Sequence, residues 1–314
     1  MTATQISYLV FGIILLIAIV LDLGLLSKKS ATISLKKALT QTIFWVILAL
    51  AFGVFVWFEK GKTEAIEYIS AYMMEWSLSI DNIFVFILIF QAFKIKENHE
   101  ARALLIGILM AIIFRIIFIS VGVVVVERFE KILYVFGAIL IYTGIKIFVV
   151  KKDEEQEFDP SKNVVYKFLN RFLPIVHDDV QGKFIVTRDG KRFVTNLFLI
   201  VILLATTDIV FAVDSIPAVF AIVASKEEMI IYTSNIFAVL GLRSLFFLLK
   251  GAVKKFEYLQ QGIAIVLIFI GLKMLLESLI HIPAYLSLMV IIICLGGSIV
   301  YSLQAAKNED EATK

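Results

Sequence analysis

Two apolar stretches of the chain each carry two acidic residues, six positions apart. These pairs are Glu75 with Asp81 and Asp208 with Asp214. Each second acid is followed by a small polar residue and then isoleucine, as Asn82-Ile83 and Ser215-Ile216. Carboxylates are rare and costly within hydrocarbon, so their repeated presence indicates a function. Because carboxylate, amide and hydroxyl oxygens suit hard divalent cations, the pattern predicts one shared cation site.

The elements that must position these acids are apolar helices. The composition is 60% hydrophobic, with a mean hydropathy of +0.93. A run of about 20 apolar residues crosses a bilayer as a helix. About nine such runs are present, near 6–26, 39–58, 67–93, 103–126, 132–150, 193–224, 230–249, 258–277 and 284–305. The sequence therefore predicts an all-α, polytopic protein of the lipid bilayer with about nine transmembrane helices.

The distribution of lysine and arginine predicts the orientation of the chain. Basic residues are concentrated after the first, third, fifth and seventh predicted helices, above all between Lys151 and Arg192. The positive-inside rule therefore predicts an N-terminus outside the cytoplasm and a C-terminus within it.

An internal repeat relates predicted helices three to five to helices six to eight. The acid pairs match one another, and so do Arg115 with Arg243 and Lys146 with Lys273. Because each unit has three spans, the second would be inverted, as in many secondary transporters. The alternative is a chance likeness between apolar helices. The predicted organisation is two N-terminal helices in 1–60, repeat units in 61–150 and 193–282, a cytoplasmic loop in 151–192 with a hairpin turning at Asp189-Gly190, and a last helix and cytoplasmic tail in 283–314.

Residues six apart lie about 120° from each other around an ideal helix. The two acids of a motif therefore converge only if the helix is broken or if the two copies face each other. The side chains of Ser79, Asn82 and Ser215 compete for backbone hydrogen bonds. Pro217 leaves the Val213 carbonyl without a helical partner, so that oxygen becomes a candidate ligand. We therefore predict interrupted helices at both motifs, with a plain kink as the alternative at Pro217.

The predicted site has oxygen ligands only, and no histidine or cysteine falls near it. Such ligands suit Mg²⁺, Ca²⁺ and Mn²⁺. The four acids are balanced in the same helices by Arg115, Arg243, Lys146 and Lys273. Both lysines lie near helix ends, where we expect them to reach the interface. An entering cation would then displace protons or a basic side chain, which suggests transport coupled to protons. The simpler alternative is a set of ion pairs that holds the helices together.

Three segments resemble the TerC family, and its Alx-like branch in particular. They are Glu75-x-Ser-Leu-Ser-Ile-Asp81-Asn82, Thr207-Asp208 to Pro217-Ala218, and Thr233-Ser-Asn-Ile-Phe to Arg243. The family is grouped with LysE-like exporters and linked to tellurite resistance, an alkaline-pH response and manganese efflux. The resemblance implies export of Mn²⁺, bound by Glu75, Asp81, Asn82, Asp208 and Asp214, across a bacterial inner membrane. The resemblance also implies a Glu three residues before Asp208, where this chain has Ala205, so either the ligand set is smaller here or that Glu is not a ligand.

Other functions fit parts of the sequence. The same acids would serve a transporter of Ca²⁺ or of several divalent cations. A protein of another class would deliver metal or act in a tellurite or pH stress response without transport. Enzymatic activity is not expected, because the sequence has no nucleophile–base pairing and no phosphate-binding loop. Neither an organic cofactor nor a nucleic-acid partner is expected, and oligomeric state is not predicted.

Overall fold

Eleven helices and three short strands make up the part of the chain that the structure describes. It is a computed structural model, and it describes residues 8–17, 20, 34–93, 95–129, 131–149, 164–176, 182–188, 190–250, 258–276, 279–280 and 282–312. The helices are α1 (Tyr8–Ile17), α2 (Leu35–Lys60), α3 (Lys62–Ala92), α4 (Glu97–Arg128), α5 (Ile132–Val149), α6 (Val164–Phe172), α7 (Asn196–Ile222), α8 (Glu228–Leu240), α9 (Leu242–Lys250), α10 (Leu259–Leu276) and α11 (Ala284–Ala312). The strands are β1 (Ile175–Val176), β2 (Ile185–Arg188) and β3 (Lys191–Thr195).

The helices confirm a polytopic membrane protein. Within the described ranges, six helices are long and apolar enough to cross a membrane, and the bent pair α8–α9 would make a seventh. Helices coincide with each of the predicted apolar runs as far as the described residues extend. The number of nine spans and the inverted repeat stay predictions, as do the domain boundaries. Helix α3, which carries the first acid pair, is outside the six.

Helix α8 is the most enclosed element of the bundle. Apart from Tyr232, its residues from Met229 to Leu240 are buried. It packs on α3, and α7 packs on both α3 and α4. The chain then bends by 40° at Gly241 before α9 begins. By contrast, α2, α5 and α11 expose large apolar side chains such as Ile47, Tyr142 and Ile293, as expected of surfaces in lipid.

Glycines allow α5 and α10 to pack at very short range. A Cβ atom at Gly271 would lie 2.7 Å from the Gly137 carbonyl oxygen. A Cβ atom at Gly144 would lie 2.6 Å from Ile268 Cγ1 and 2.8 Å from the Ala264 carbonyl oxygen. Small residues at helix contacts let backbones approach in this way within membranes. Gly144 and Gly271 therefore fix the contact between the third helices of the two predicted repeats.

The two ends of the bundle differ in structure. At the end that we call the hairpin end, β2 and β3 form an antiparallel pair where the sequence predicts a hairpin, with Gly190 at φ +74° in the turn. Strand β1 adds to β3 in parallel, and neither β1 nor α6 is predicted from the sequence. Arg102 at the start of α4 donates to the Gly182 carbonyl and lies over the Phe184 ring. At the opposite end, called the loop end, residues 223–227 connect α7 to α8.

The predicted interruption of the helices at the acid motifs is wrong. Helix α3 runs without a break through its motif, and α7 does the same with Pro217 inside it. The Ser77 hydroxyl donates to the Met74 carbonyl without breaking α3. Pro217 removes a single N–H five residues before α7 ends at Ile222. Packing on the neighbouring helices outweighs these local preferences, and the bend of this region is at Gly241 instead.

Replacing Gly144 with alanine should destabilise the protein, because the new methyl group has no space between α5 and α10. We expect a loss of about 1–3 kcal/mol in the free energy of unfolding, as for other overpacked cores. Thermal unfolding in detergent measures it. Gly296→Ala is the matched control, since nothing lies within 4 Å of a Cβ at Gly296. Equal melting temperatures for the two variants would contradict this account of the contact.

Candidate functional site

One acid from each motif lies at the centre of the bundle, and the two share an arginine. Glu75 lies on α3, Arg115 on α4 and Asp208 on α7. Asp208 is twelve residues after Asn196, where α7 begins, and Glu75 is thirteen residues after Lys62, where α3 begins. At about 1.5 Å per residue, both are roughly 20 Å from the start of their helices. The group is therefore close to the middle of the predicted membrane.

Arg115 bridges the two carboxylates through all three of its guanidinium nitrogens. Its Nε donates to Asp208 Oδ2 at 2.9 Å and its Nη2 to Asp208 Oδ1 at 3.1 Å. Its Nη1 donates to Glu75 Oε2 at 2.6 Å. The fork of parallel bonds to Asp208 is the strong, geometrically specific pairing of arginine with carboxylate. Three helices are thus joined at one guanidinium group.

Two asparagines complete the hydrogen bonding of this centre. Asn235 on α8 accepts from Arg115 Nη1 at 2.5 Å and donates its Nδ2 to Glu75 Oε1 at 2.7 Å. Asn82 on α3 donates its Nδ2 to Asp208 Oδ1 at 3.3 Å. We call Glu75, Asn82, Arg115, Asp208 and Asn235 the Arg115 centre. Its side chains come from four helices, and each asparagine joins helices of the two predicted repeats.

The Arg115 centre is enclosed and carries excess negative charge. Glu75 is 0% exposed, Asp208 1% and Arg115 2%. Two carboxylates face one guanidinium, so one negative charge is uncompensated within the centre when both acids are ionised. A buried charge is stable only if it is paired and hydrogen-bonded. The arrangement therefore favours an additional positive charge, such as a proton or a metal cation.

Three buried oxygens of the motifs have no hydrogen-bond partner within the described part of the chain. They are Ser79 Oγ, Asn82 Oδ1 and Ser215 Oγ. Buried polar atoms without a partner are uncommon and call for an explanation. All three come from the two acid motifs, on α3 and α7, and each could donate a lone pair to a cation. The sequence predicts Asn82 as a ligand and Ser79 and Ser215 as supporting residues.

The structure describes the backbone at Asp81 and Asp214 within continuous helices, but their side chains lie outside the described residues. Among the side chains it does describe, no group of three His, Cys, Asp or Glu residues could hold a metal ion. The Val213 side chain is 48% exposed, which directs it away from the buried centre. The metal-ligand assignment of the two motifs therefore stays a prediction.

The remaining basic residues of the repeat are not equivalent. Lys146 is exposed on α5, as expected of a lysine that reaches the interface. Lys273 is 2% exposed and donates to Ser287 Oγ at 3.3 Å, so its predicted extension to the interface is wrong. A hydroxyl on α11 provides the polar contact that lipid headgroups or water would otherwise supply. Arg243 is buried at the start of α9, next to the bend at Gly241.

A narrow apolar crevice lies beside Asp208. Its lining includes Phe86, Leu104 and Leu242, which belong to the half of the bundle nearer the hairpin end. It is too narrow to admit a water molecule. Apart from Asp208 itself, the side chains that line this crevice are apolar.

Comparison with known proteins identifies the family. Residues 60–310 match the integral membrane protein TerC family. The chain belongs to the TerC family.

Relatives of this TerC protein match nearly their whole length. A membrane protein of Rickettsia bellii is 41% identical over 286 residues, covering 91% of this chain and 93% of the relative. A protein of Escherichia coli, named as a proposed membrane-bound redox modulator Alx, is 36% identical over 290 residues, covering 90% and 89%. The Alx protein of Salmonella typhi is also 36% identical over 290 residues, covering 90% and 88%. These relatives confirm the Alx-like resemblance. No solved structure matches the chain.

Asn235 is the functional candidate that sequence reasoning missed. It lies in the segment Thr233-Ser-Asn-Ile-Phe, which resembles the TerC family, but its amide is neutral and attracts no attention beside four acids. Its position could have identified Asn235 from the sequence, since an amide within an apolar helix needs a polar partner. In this TerC protein the partners are Glu75 and Arg115.

Replacing Arg115 with methionine should destabilise this TerC protein, because Glu75 and Asp208 would be left as buried carboxylates without their counter-charge. Breaking a buried ion pair in this way costs about 3–5 kcal/mol. Adding Glu75→Gln and Asp208→Asn should restore most of the stability, since no charge then remains uncompensated. Membrane abundance and thermal unfolding compare the variants. Equal loss in the single and triple variants would show that charge is not the cause.

Proposed function

We propose that this TerC protein is a secondary transporter that exports divalent cations from the cytoplasm, with Mn²⁺ as the principal substrate. One observation carries the proposal: Glu75 and Asp208, one acid from each motif, meet at mid-helix in the Arg115 centre. Substrate sites of inverted-repeat transporters lie near the membrane midplane, between the repeats. A buried acid pair at that depth is by default a functional site.

The charges of the motifs match a divalent cation. Lys146 is exposed on α5, and Lys273 lies in the last turn of α10, away from the Arg115 centre, where it donates to Ser287. Four motif acids are then opposed by the two buried arginines, Arg115 and Arg243. Two negative charges remain when all the acids are ionised, so one divalent cation neutralises the four acids provided that Arg115 stays within the bundle after it is displaced from Glu75 and Asp208. From the sequence alone, the charge balance is nearly neutral, because Lys146 and Lys273 are both counted as counter-charges of the acids. The structure leaves the two lysines out of that balance.

The ligand chemistry supports a hard cation. Carboxylate oxygens of Glu75 and Asp208, the free Oδ1 of Asn82 and the hydroxyls of Ser79 and Ser215 are oxygen donors. Mn²⁺ and Mg²⁺ accept such ligands, and so does Ca²⁺ at longer distances and with more ligands. The family resemblance favours Mn²⁺ among these. Transport of Ca²⁺ or of several divalent cations is the alternative that shares the same site.

The packing of the helices supports alternating access. Helix α3 contacts α8 and helix α4 contacts α7, so the first helix of each predicted repeat lies on the second helix of the other. The third helices, α5 and α10, contact each other. Reciprocal contacts of this kind are expected of two units related by a two-fold axis. An opening between the units would separate Asp208 from Asn82 and Glu75 from Asn235 while exposing the acids.

Arg115 occupies the position that a metal would need. Its guanidinium donates to both acids and to Asn235, so a cation reaches the carboxylates only by displacing it. The arrangement corresponds to a closed state in which Arg115 serves as the counter-ion. Binding of a divalent cation from the hairpin end would release Arg115, and departure of the cation would bring it back.

A second candidate is a membrane protein that takes part in a stress response without transport. The observation that favours it is the completeness of the Arg115 bonding, which would suit a permanent link between helices. The Alx relatives carry a name that refers to redox modulation. This sequence has one cysteine, so thiol exchange would need a second protein or a small thiol. Direct flux measurements separate the two candidates.

In proteoliposomes, the wild-type protein should move Mn²⁺ across the membrane, detected by a metal-sensitive dye inside the vesicles. Glu75→Gln and Asp208→Asn should abolish the flux, because each removes one negative charge from the centre while keeping its shape. Asp81→Asn and Asp214→Asn should do the same if the full motif binds metal. Glu59→Gln, near the end of α2, is the control that should retain flux.

The variants must also remain folded, which size-exclusion chromatography and equal incorporation into vesicles establish. Wild-type protein that moves no divalent cation would refute transport and favour the second candidate. Normal flux in all four acid variants would place the path elsewhere. Adding Ca²⁺ in competition tests the choice of ion.

A further inference from the structure

We propose that Glu67 and Lys273 form a second ionisable site, near the loop end of the bundle, which carries the proton exchanged for the metal. This inference rests on the proposed transport function and deepens it. It adds a group outside the acid motifs, at a place that the repeat does not predict.

Glu67 is an enclosed carboxylate that the Arg115 centre does not use. It is 2% exposed and lies on α3, eight residues before Glu75. Eight residues of helix correspond to about 12 Å, so Glu67 is displaced from the centre toward the loop end. Its Oε2 accepts from Ser225 Oγ at 2.5 Å, and its Oε1 accepts from the Ser225 backbone N–H at 3.3 Å. The carboxylate thus ties α3 to the loop that connects α7 to α8.

Lys273 supplies the matching positive charge from a third helix. It is 2% exposed on α10 and donates to Ser287 Oγ on α11 at 3.3 Å. Its charge influences Glu67 less than burial or the hydrogen bonds from Ser225 do. Helix α3 packs on both α10 and α11, which brings the two groups to the same end of the bundle. With Lys273 charged, the ionised Glu67 leaves no net charge in this pair, and the protonated Glu67 leaves one positive charge that is hydrogen-bonded to Ser287.

The other charged groups at the loop end are compatible with protonation of Glu67. In the described part of the chain, Glu64 on α3 also acts on Glu67, with the same sign of charge. Lys60 at the end of α2 is 3.2 Å from Glu227, the last residue of the loop, and Glu228 begins α8. Desolvation and Glu64 favour the neutral acid, while Ser225 and Lys273 favour the carboxylate. Opposing influences of this kind allow a modest change of environment to load or release the proton.

The predicted repeat has no equivalent of this pair, which gives the bundle a direction. Eight residues before Asp208, where a matching acid would lie, the chain has Ile200. Lys146, the match of Lys273, is exposed. Among the described matching positions, the acid is therefore present at the loop end alone, whereas the buried Glu100 at the hairpin end is bonded to Lys250 at 2.8 Å. Metal would approach from the hairpin end, and the proton would be taken up at the loop end.

The Ser225 contact links the proton to the metal centre. When Glu67 takes up a proton, its oxygens become weaker acceptors and the bonds from Ser225 weaken. Residues 223–227 lead directly into α8, which carries Asn235. Release of this loop would allow α8 to shift and Asn235 to part from Glu75. Each metal ion that leaves is then exchanged for at least the proton that Glu67 carries inward.

Two modes of transport in proteoliposomes separate the proton site from the metal site. An imposed pH gradient should drive Mn²⁺ accumulation by the wild-type protein. Exchange of Mn²⁺ for Mn²⁺ at equal pH needs the metal site but no proton step. Glu67→Gln should lose gradient-driven accumulation, to the level of protein-free vesicles, while it retains exchange. Glu59→Gln, near the end of α2, is the matched control and should retain both.

Retained exchange also proves that the variant is folded. Should Glu67→Gln fold poorly because Lys273 lacks a counter-charge, the double variant Glu67→Gln with Lys273→Met removes both charges and is measured in the same way. Gradient-driven accumulation that survives in either variant overturns the inference. If the double variant loses both exchange and gradient-driven accumulation, Glu67 belongs to the metal path. That outcome also overturns the inference. Absence of both exchange and gradient-driven accumulation in the wild-type protein refutes the transport function itself.

Discussion

The bonding of Arg115 to Glu75 and Asp208 is the constraint on which the centre of this molecule depends. Both acids are enclosed by apolar helices, so neither is stable as a carboxylate without a cation within hydrogen-bonding distance. One guanidinium satisfies both and also donates to Asn235, which joins α3, α4, α7 and α8 at a single point. The four helices must therefore separate together or exchange Arg115 for another cation. A function in which a cation binds the two acids must therefore displace Arg115, whereas a purely structural function leaves Arg115 in place.

The rest of the packing divides into a close contact and a set of polar links. Helices α5 and α10 approach through Gly137, Gly144 and Gly271, with backbone atoms of one against the other. Such a contact is hard to deform, because any displacement opens a gap or creates a clash. Around α8 the links are hydrogen bonds, including those of Asn235, and these can be exchanged for bonds to water or metal at little cost. Movement is therefore expected around α8 rather than between α5 and α10.

The positions of the helices and the importance of the central acids were predictable from the sequence. Apolar runs placed the helices, and acid spacing identified Glu75 and Asp208 as one shared site, because charge within hydrocarbon has few explanations. The continuity of α3 and α7 could not be predicted, since it depends on packing that outweighs the local preferences of Ser79, Asn82 and Pro217. Lys273 was misplaced for the same reason. A lysine near a helix end reaches the interface unless a neighbour such as Ser287 receives it, and that neighbour is known only once helices are paired.

The charge of the Arg115 centre also limits which ions it could bind. Arg115 already supplies one positive charge with directed hydrogen bonds, so a monovalent cation that displaced it would restore no more charge and lose those bonds. A divalent cation supplies twice the charge and attracts the free oxygens of Asn82 and Ser79 as well. An oxyanion such as tellurite would be repelled by the excess of carboxylates. Competition with a resident guanidinium thus selects for divalent cations, before the size of the site or the number of its ligands is considered.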